Sequence, residues 1–378
     1  MNLYIITQSQ LSYYGGGTDT WMSYFIPAIA NQFKKITIMS VKTDDNEYNL
    51  LNFQQKNIEV LRLSEPKYID LFLKYTKYLR NNIQKGDILL SIGTGFPGWV
   101  GATLKKELKD NIIHITWARG IPHKEITEHK GTIGSIIIKQ IEKITLKNSD
   151  AIIFNGNDTF EYYTRKFKKF LPNNKIVIPN ALKSEKFFEN PNPDFSIPLK
   201  IGYYGRFVKA RGFHYFIKLA EFKELRSLYE FNAWGWSENN LNLEKYNINY
   251  KGKYNSDNYK VYAESDLVLF LIPSKNTFGG GTSHNLLEAL ASGRVIIGWD
   301  NPILRNVLNE SCAYLIEEGN LNEVKKTLLK IHKNKDELNE KSKNARLIAK
   351  KYSQENHVKT FLEFVNQIYL KHNSNKIF

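Results

Sequence analysis

Residues 276–293 read NTFGGGTSHNLLEALASG: a triple-glycine loop runs into a helix start, and an acidic side chain follows on an otherwise apolar helix. Gly279, Gly280 and Gly281 carry no Cβ, so a ligand can approach the backbone closely there. Thr282 or Ser283 suits the N-cap position, and the N–H groups of the turn that follows favour an anion. His284 and Glu288 have i, i+4 spacing and share one helix face, and Gly293 is placed to stop the helix. Backbone donors beside a carboxylate suit a phosphate next to a sugar.

A second stretch supplies cations. Residues 200–216 read KIGYYGRFVKARGFHYF, in which an extended segment ends at Gly205, Arg206 follows at once, and Arg211-Gly212 opens the next amphipathic segment. The guanidinium fork matches phosphate oxygens in pairs. A cation at a helix N-terminus faces the positive end of the dipole, and an anion held between the two relieves that conflict.

These groups work only if strands and helices hold them. Ahead of the glycine loop, residues 266–274 (DLVLFLIPS) form the continuous apolar run of a buried parallel strand. Strands are predicted at residues 2–7, 35–41, 58–63, 87–93, 112–118 and 151–155, separated by helical stretches, the first of them at 21–33. Such alternation predicts an α/β fold with a parallel sheet. The Pro- and Asn-rich segment 189–198 (ENPNPDFSIP) reads as a linker. It separates a first domain, 1–188, from a second alternation over 199–352. Ser353 can cap a final helix within 353–378, whose end, KHNSNKIF, reads as a tail.

With both motifs in view, the chain resembles the retaining, nucleotide-sugar-dependent glycosyltransferases of family 4, which have the two-Rossmann-domain GT-B fold. The resemblance implies two Rossmann-like domains facing across a cleft, with the C-terminal helix returning to the first. Arg206 and Arg211 match the cations that hold the donor diphosphate in that family, with arginine at 211 where lysine is usual. Glu288 matches the second glutamate of the family's donor motif and would bind ribose hydroxyls. The position of the first glutamate is Gly280, and a glycine-rich variant of this loop is familiar in the family. Thr282, Ser283 and His284 join Gly280 and Gly281 in the donor-binding loop, and residues 232–238 (NAWGWSE) with 248–254 stand where relatives seat the base. Gly16 and Gly17, after the first strand, would line the cleft and belong with the donor-binding residues. Arg119 and His123, after the strand at 112–118, are the acceptor-side candidates.

Composition narrows the remaining classes. A net charge of +15 attracts anionic partners: diphosphates, anionic membranes or nucleic acid. Nucleic acid is disfavoured, because no zinc-finger spacing, RNP-like aromatic motif or helix-turn-helix stands out. The segments 71–86 and 134–149 alternate apolar and basic residues at helical spacing, which fits either a helix resting on an anionic bilayer or a core-facing helix with a solvated lysine face. Cys312 is the single cysteine, so no intramolecular disulfide forms and a reducing compartment fits. No apolar run approaches the ~20 residues that span a bilayer. These features predict a cytoplasmic enzyme, soluble or peripheral on the inner face of the plasma membrane.

Neither a cofactor nor a metal is expected. Asp-x-Asp is absent, and His123, Glu125 and His129 fit no zinc spacing. The expected partners are a nucleotide-sugar donor and a glycan or lipid-linked acceptor, as in the building of an O-antigen, capsule or lipopolysaccharide. Two rivals share the pattern: a nucleotide-sugar epimerase of the same fold, and a catalytically silent sugar- or nucleic-acid-binding protein.

Overall fold

The computed structural model describes every residue except 14–15, 43–49, 65–67, 237–240, 254–257, 275–280 and 375–378. Gly279 and Gly280, most of the predicted glycine loop, the end of NAWGWSE and the last residues of the tail therefore lie outside the described residues. Contacts divide the chain into two compact units: Met1–Asn180 with Gln354–Phe378, and Ala181–Thr277 with Thr282–Ser353. Gly281 is grouped with the first.

The first unit is built on a seven-stranded sheet of β1 (Leu3–Ile6), β2 (Ile36–Val41), β3 (Ile58–Ser64), β4 (Ile88–Ile92), β5 (Ile113–Ala118), β6 (Ala151–Phe154) and β7 (Asn174–Val177). Every pairing is parallel, in the order β3-β2-β1-β4-β5-β6-β7. β1, β2, β4, β5 and β6 are buried along their full length, as expected of parallel strands covered on both faces. The helix Gln354–Ser374 completes this unit. His357 accepts from Trp21 Nε1 at its Nε2 (2.9 Å) and donates from Nδ1 to the Pro179 carbonyl (2.8 Å). Phe361 meets Phe25 edge-on at 4.9 Å and stacks on Trp117 at 5.6 Å.

The second unit carries six parallel strands: β8 (Leu199–Arg206), β9 (Tyr229–Trp236), β10 (Ile248–Tyr250), β11 (Leu267–Phe270), β12 (Val295–Asp300) and β13 (Ala313–Glu317). Their order is β10-β9-β8-β11-β12-β13. Alternation along the strands feeds two cores. Ile201, Tyr203, Phe231, Leu269 and Ile297 enter one, and Tyr204, Trp234, Val268, Phe270 and Ile296 enter the other. In both sheets the strand order reverses beside the first strand, between β1 and β4 and between β8 and β11. Open α/β sheets bind ligands outside the carboxyl strand ends at such a point.

One segment differs from its sequence reading. Residues 189–198 pack inside the second unit, and the change of unit falls at Asn180–Ala181. Asn190 Nδ2 donates to Tyr259 O (2.9 Å) and Ser292 Oγ (2.8 Å), Arg346 donates to Phe188 O (2.8 Å) and Asn190 O (2.7 Å), and the buried Arg294 donates to Pro191 O. Proline and asparagine prevent regular structure here. They do not prevent anchoring, because arginines distant in sequence take the segment's carbonyls.

Candidate active site

The two donor-side motifs converge in the second unit. β8 ends at Arg206, whose side chain is exposed. The chain then turns through Lys209–Arg211 into the helix Phe213–Ala220. Buried Tyr203 organises this turn: its hydroxyl donates to Arg206 O at 2.8 Å and lies 3.3 Å from Arg211 O. Burial pushes the phenol pKa up and keeps it a donor. Gly212 takes φ +79°, and a Cβ there would stand 2.1 Å from the Leu271 carbonyl, just past β11. Only glycine lets the cationic turn close onto the neighbouring strand end.

The helix His284–Ala291 arrives at the same place. Asn285 Nδ2 donates to the Tyr204 carbonyl (2.8 Å), one residue before the close of β8 at Gly205-Arg206. Ser283 occupies the N-cap position, as its sequence suggests, but its side chain does not bond to the first turn. The far end follows expectation. Gly293, at φ +71°, donates to Leu290 O and Arg294 to Ala289 O, both at 2.9 Å, which is a Schellman stop. Thr282, His284 and Glu288 are all buried. Glu288 Oε2 accepts from Tyr262 Oη at 2.9 Å. Tyr262 stacks on Tyr204 (4.2 Å, 27°), and Tyr204 on Trp234 (4.7 Å, 8°).

Three contributors carried no signal in the sequence reading. Asn285 and Tyr262 are two of them, and Glu318 is the third. Both carboxylate oxygens of Glu318 accept from Ser274 N (2.9 and 3.0 Å), and Asn301 Nδ2 donates to Oε2 at 3.0 Å. Glu318 thereby holds the chain at the last described residue before 275–280. Trp236 and Tyr250, at the ends of β9 and β10, are 40% and 52% exposed and belong to the segments assigned to the base.

The first-unit candidates stand at the carboxyl ends of β1 and β5. Gly16 caps the helix Gly17–Ile29, its N–H donating to Asp19 Oδ2 (3.1 Å) while Ser12 N and Ser9 Oγ donate to Oδ1. Among the described residues, nothing lies within 4 Å of where a Gly16 Cβ would stand. Arg119 follows β5, donates from Nη2 to Asn180 Oδ1 (2.8 Å) and lies over the Trp21 ring at 4.4 Å. Burial lowers its pKa to about 10, so it stays charged at neutral pH. His123 is buried, with both ring nitrogens engaged: Nδ1 faces Glu142 Oε2 and Nε2 lies 2.8 Å from Tyr162 Oη. The other oxygen of Glu142 accepts from Thr94 Oγ1 (3.0 Å) and Tyr163 Oη (2.5 Å). Arg119 and His123 are thus both tied into the first unit's own network.

Residues 184–351 match the family model described as glycosyl transferases group 1. No curated protein matches the chain. Among solved structures the fold is similar to that of sucrose-phosphate synthase from Thermosynechococcus elongatus, at 15% identity and TM-score 0.75, over 98% of this chain and 100% of that one. It is also similar to the pneumococcal O-GlcNAc transferase GtfA in complex with UDP and GlcNAc (12%, TM-score 0.72, 97% and 99% covered). A third is WaaG, a glycosyltransferase involved in lipopolysaccharide biosynthesis (13%, TM-score 0.68, 92% and 95% covered). At these identities the likeness is one of fold, and it bears out the α/β architecture with two Rossmann-like units.

Proposed function

We propose, from the match of residues 184–351 to the glycosyl transferases group 1 model, that the chain moves a hexose-like sugar, with retention and without a metal, from a nucleoside diphosphate sugar to a growing bacterial surface glycan carried by a lipid on the cytoplasmic side. The observation that carries this reading is the meeting of Arg206, Arg211 and the start of the helix His284–Ala291 where the second sheet's strand order reverses.

In this reading the donor diphosphate lies against both guanidinium groups, with Ser283 and the backbone N–H groups of the helix start on its other side. Negative charge grows on the leaving phosphate as the bond to the sugar breaks. Contacts to that charge therefore strengthen toward the transition state, the condition for accelerating the step. The leaving phosphate oxygen takes the acceptor's proton on the same face, so no enzyme carboxylate attacks the sugar. Glu288 binds the ribose hydroxyls, with Tyr262 fixing the carboxylate. Gly16 and Gly17 contribute to donor binding, and Arg119 and His123 are the acceptor-side candidates. The UDP bound by GtfA makes UDP the first nucleotide to test, and the lipopolysaccharide role of WaaG supports a surface-glycan acceptor.

The test is incubation with a panel of UDP- and GDP-sugars, with and without lipid extract, followed by mass spectrometry and anomeric NMR of the products. Nucleotide release that depends on the extract, with an α-linked sugar from an α-linked donor, is the expected result. Donor consumed equally without acceptor would instead indicate the epimerase, and no consumption at all the silent binder.

A further inference from the structure

The helical segment Pro122–Lys147 is broken at Gly131, which takes φ +73°, and the part beyond it reads TIGSIIIKQIEKITLK. At about 100° per residue its side chains sort into three sectors. Ile138, Ile141, Thr145 and Leu146 face the core and are buried, together with Glu142, the only acidic residue of the stretch. Ile133, Ile136, Ile137 and Ile144 gather on the opposite side, 77%, 56%, 55% and 36% exposed. Lys139, Lys143 and Lys147 line one edge of that stripe. The outer face of this helix is therefore isoleucine with a lysine border, rather than a solvated lysine face.

A second ridge lies nearby. On the helix Tyr68–Asn82, Ile69 and Leu73 have i, i+4 spacing and are 73% and 58% exposed, with Lys74 and Lys77 exposed beside them. Both helices pack against Phe96–Leu108, and with neighbouring helix axes 8–10 Å apart the two ridges stand roughly 20 Å from each other. Two parallel apolar ridges with basic borders present a broad surface instead of a groove for one peptide. Large isoleucines left in water on a folded surface mark an interaction site.

We propose that this face of the first unit docks on an anionic lipid bilayer, the isoleucines entering the boundary between headgroups and acyl chains while the lysines reach lipid phosphates. Charge complementarity selects this occupant: the border is basic, the one acid of the stretch is buried, and the whole chain carries +15. The surface and its partner are independent of the donor chemistry, so a failed transferase assay leaves this inference standing.

Vesicle sedimentation tests it, with phosphatidylglycerol–phosphatidylcholine vesicles against pure phosphatidylcholine at low and high salt. Three forms are compared: wild type, Ile133→Ser/Ile137→Ser, and Lys139→Gln/Lys143→Gln/Lys147→Gln. Ile133, Ile137, Lys139 and Lys147 are exposed and Lys143 is half-buried at the edge, and unchanged thermal unfolding confirms that the variants fold. Wild type is expected to bind anionic vesicles and to release as salt rises. The isoleucine pair should lose at least about tenfold in partitioning, and the lysine triple should lose most of the salt dependence. Equal recovery in the supernatant with both lipids at low salt overturns the proposal, as does unaltered binding of the isoleucine variant. A dimer in sedimentation velocity that Ile133→Ser/Ile137→Ser converts to monomer, without vesicle binding, would assign the ridge to a second copy of the chain instead.

Discussion

Replacing the two site arginines singly by alanine tests the leaving-group role, and the structure sets the order of the effects. A unit charge about 4 Å from another contributes ~1 kcal/mol in water and ~4 kcal/mol where the effective dielectric is near 20. Arg206 is exposed, so water screens it and its loss belongs near the lower bound, about 1–2 kcal/mol or roughly 5- to 30-fold in kcat. Arg211 is half-buried in the turn beneath Tyr203. Its loss belongs higher, about 2–3 kcal/mol or roughly 30- to 150-fold. Steady-state kinetics with saturating acceptor separates the constants, and kcat should fall further than KM rises for both variants. Arg211→Lys should recover part of the loss, since it restores charge without the fork. A rise in KM with kcat untouched would refute the reasoning, for the arginines would then hold ground state and transition state equally. A larger effect at 206 than at 211 would refute the screening argument alone.

Glu288→Ala is expected to weaken nucleotide binding by about 1.5–3 kcal/mol, the cost of losing hydrogen bonds to a charged group; calorimetric affinities for both UDP and GDP that equal wild type, in a folded variant, would remove Glu288 from the site. Gly212→Ala forces a Cβ into the left-handed region and against the Leu271 carbonyl, so the urea midpoint should drop by the equivalent of more than about 2 kcal/mol; an unmoved midpoint contradicts the close approach. The stability of the first unit should depend on pH through His114 and His357, whose pKa values burial lowers to about 4. The unfolded chain takes up these protons near pH 6.5 and the folded chain refuses them until about 4. Their stabilisation is therefore whole above pH 6.5 and is lost across the window from 6.5 down to 4, by about 3 kcal/mol for each. Thermal unfolding from pH 7.5 to 4.5 should show a shallower acid loss in His357→Gln than in wild type, and parallel curves would rule this histidine out as a contributor.

The strands of the first sheet were legible because parallel strands covered on both faces are nearly unbroken runs of isoleucine, valine and leucine. Turn chemistry likewise revealed Arg206-to-Gly212 and the stop at Gly293, since each depends on residues adjacent in the chain. What escaped sequence reading depends on distant partners. Tyr262 sits in a short 3-10 stretch without periodicity, so nothing nearby marks it as the partner of Glu288. Glu318 and Asn285 act across sheet strands on backbone atoms, and any acid or amide would look the same in the sequence. The linker reading of 189–198 failed for a similar reason: composition describes what a segment cannot form by itself, while Arg294 and Arg346 decide what it binds. The run Ile136-Ile137-Ile138 was ambiguous because three consecutive isoleucines span both faces of a helix.

The helix Gln354–Ser374 gives the order of synthesis a role in folding. Residues 181–353 hold every strand of the second sheet, so that sheet can close as soon as they leave the ribosome. The first unit cannot. Trp21, Phe25 and Trp117 are made early, yet the surface that shields them comes from His357 and Phe361, more than two hundred residues later than Trp117. Until that helix emerges, an aromatic face made early stays open to water, where it can recruit other chains. The N-terminal half is therefore the half that a C-terminal truncation would damage.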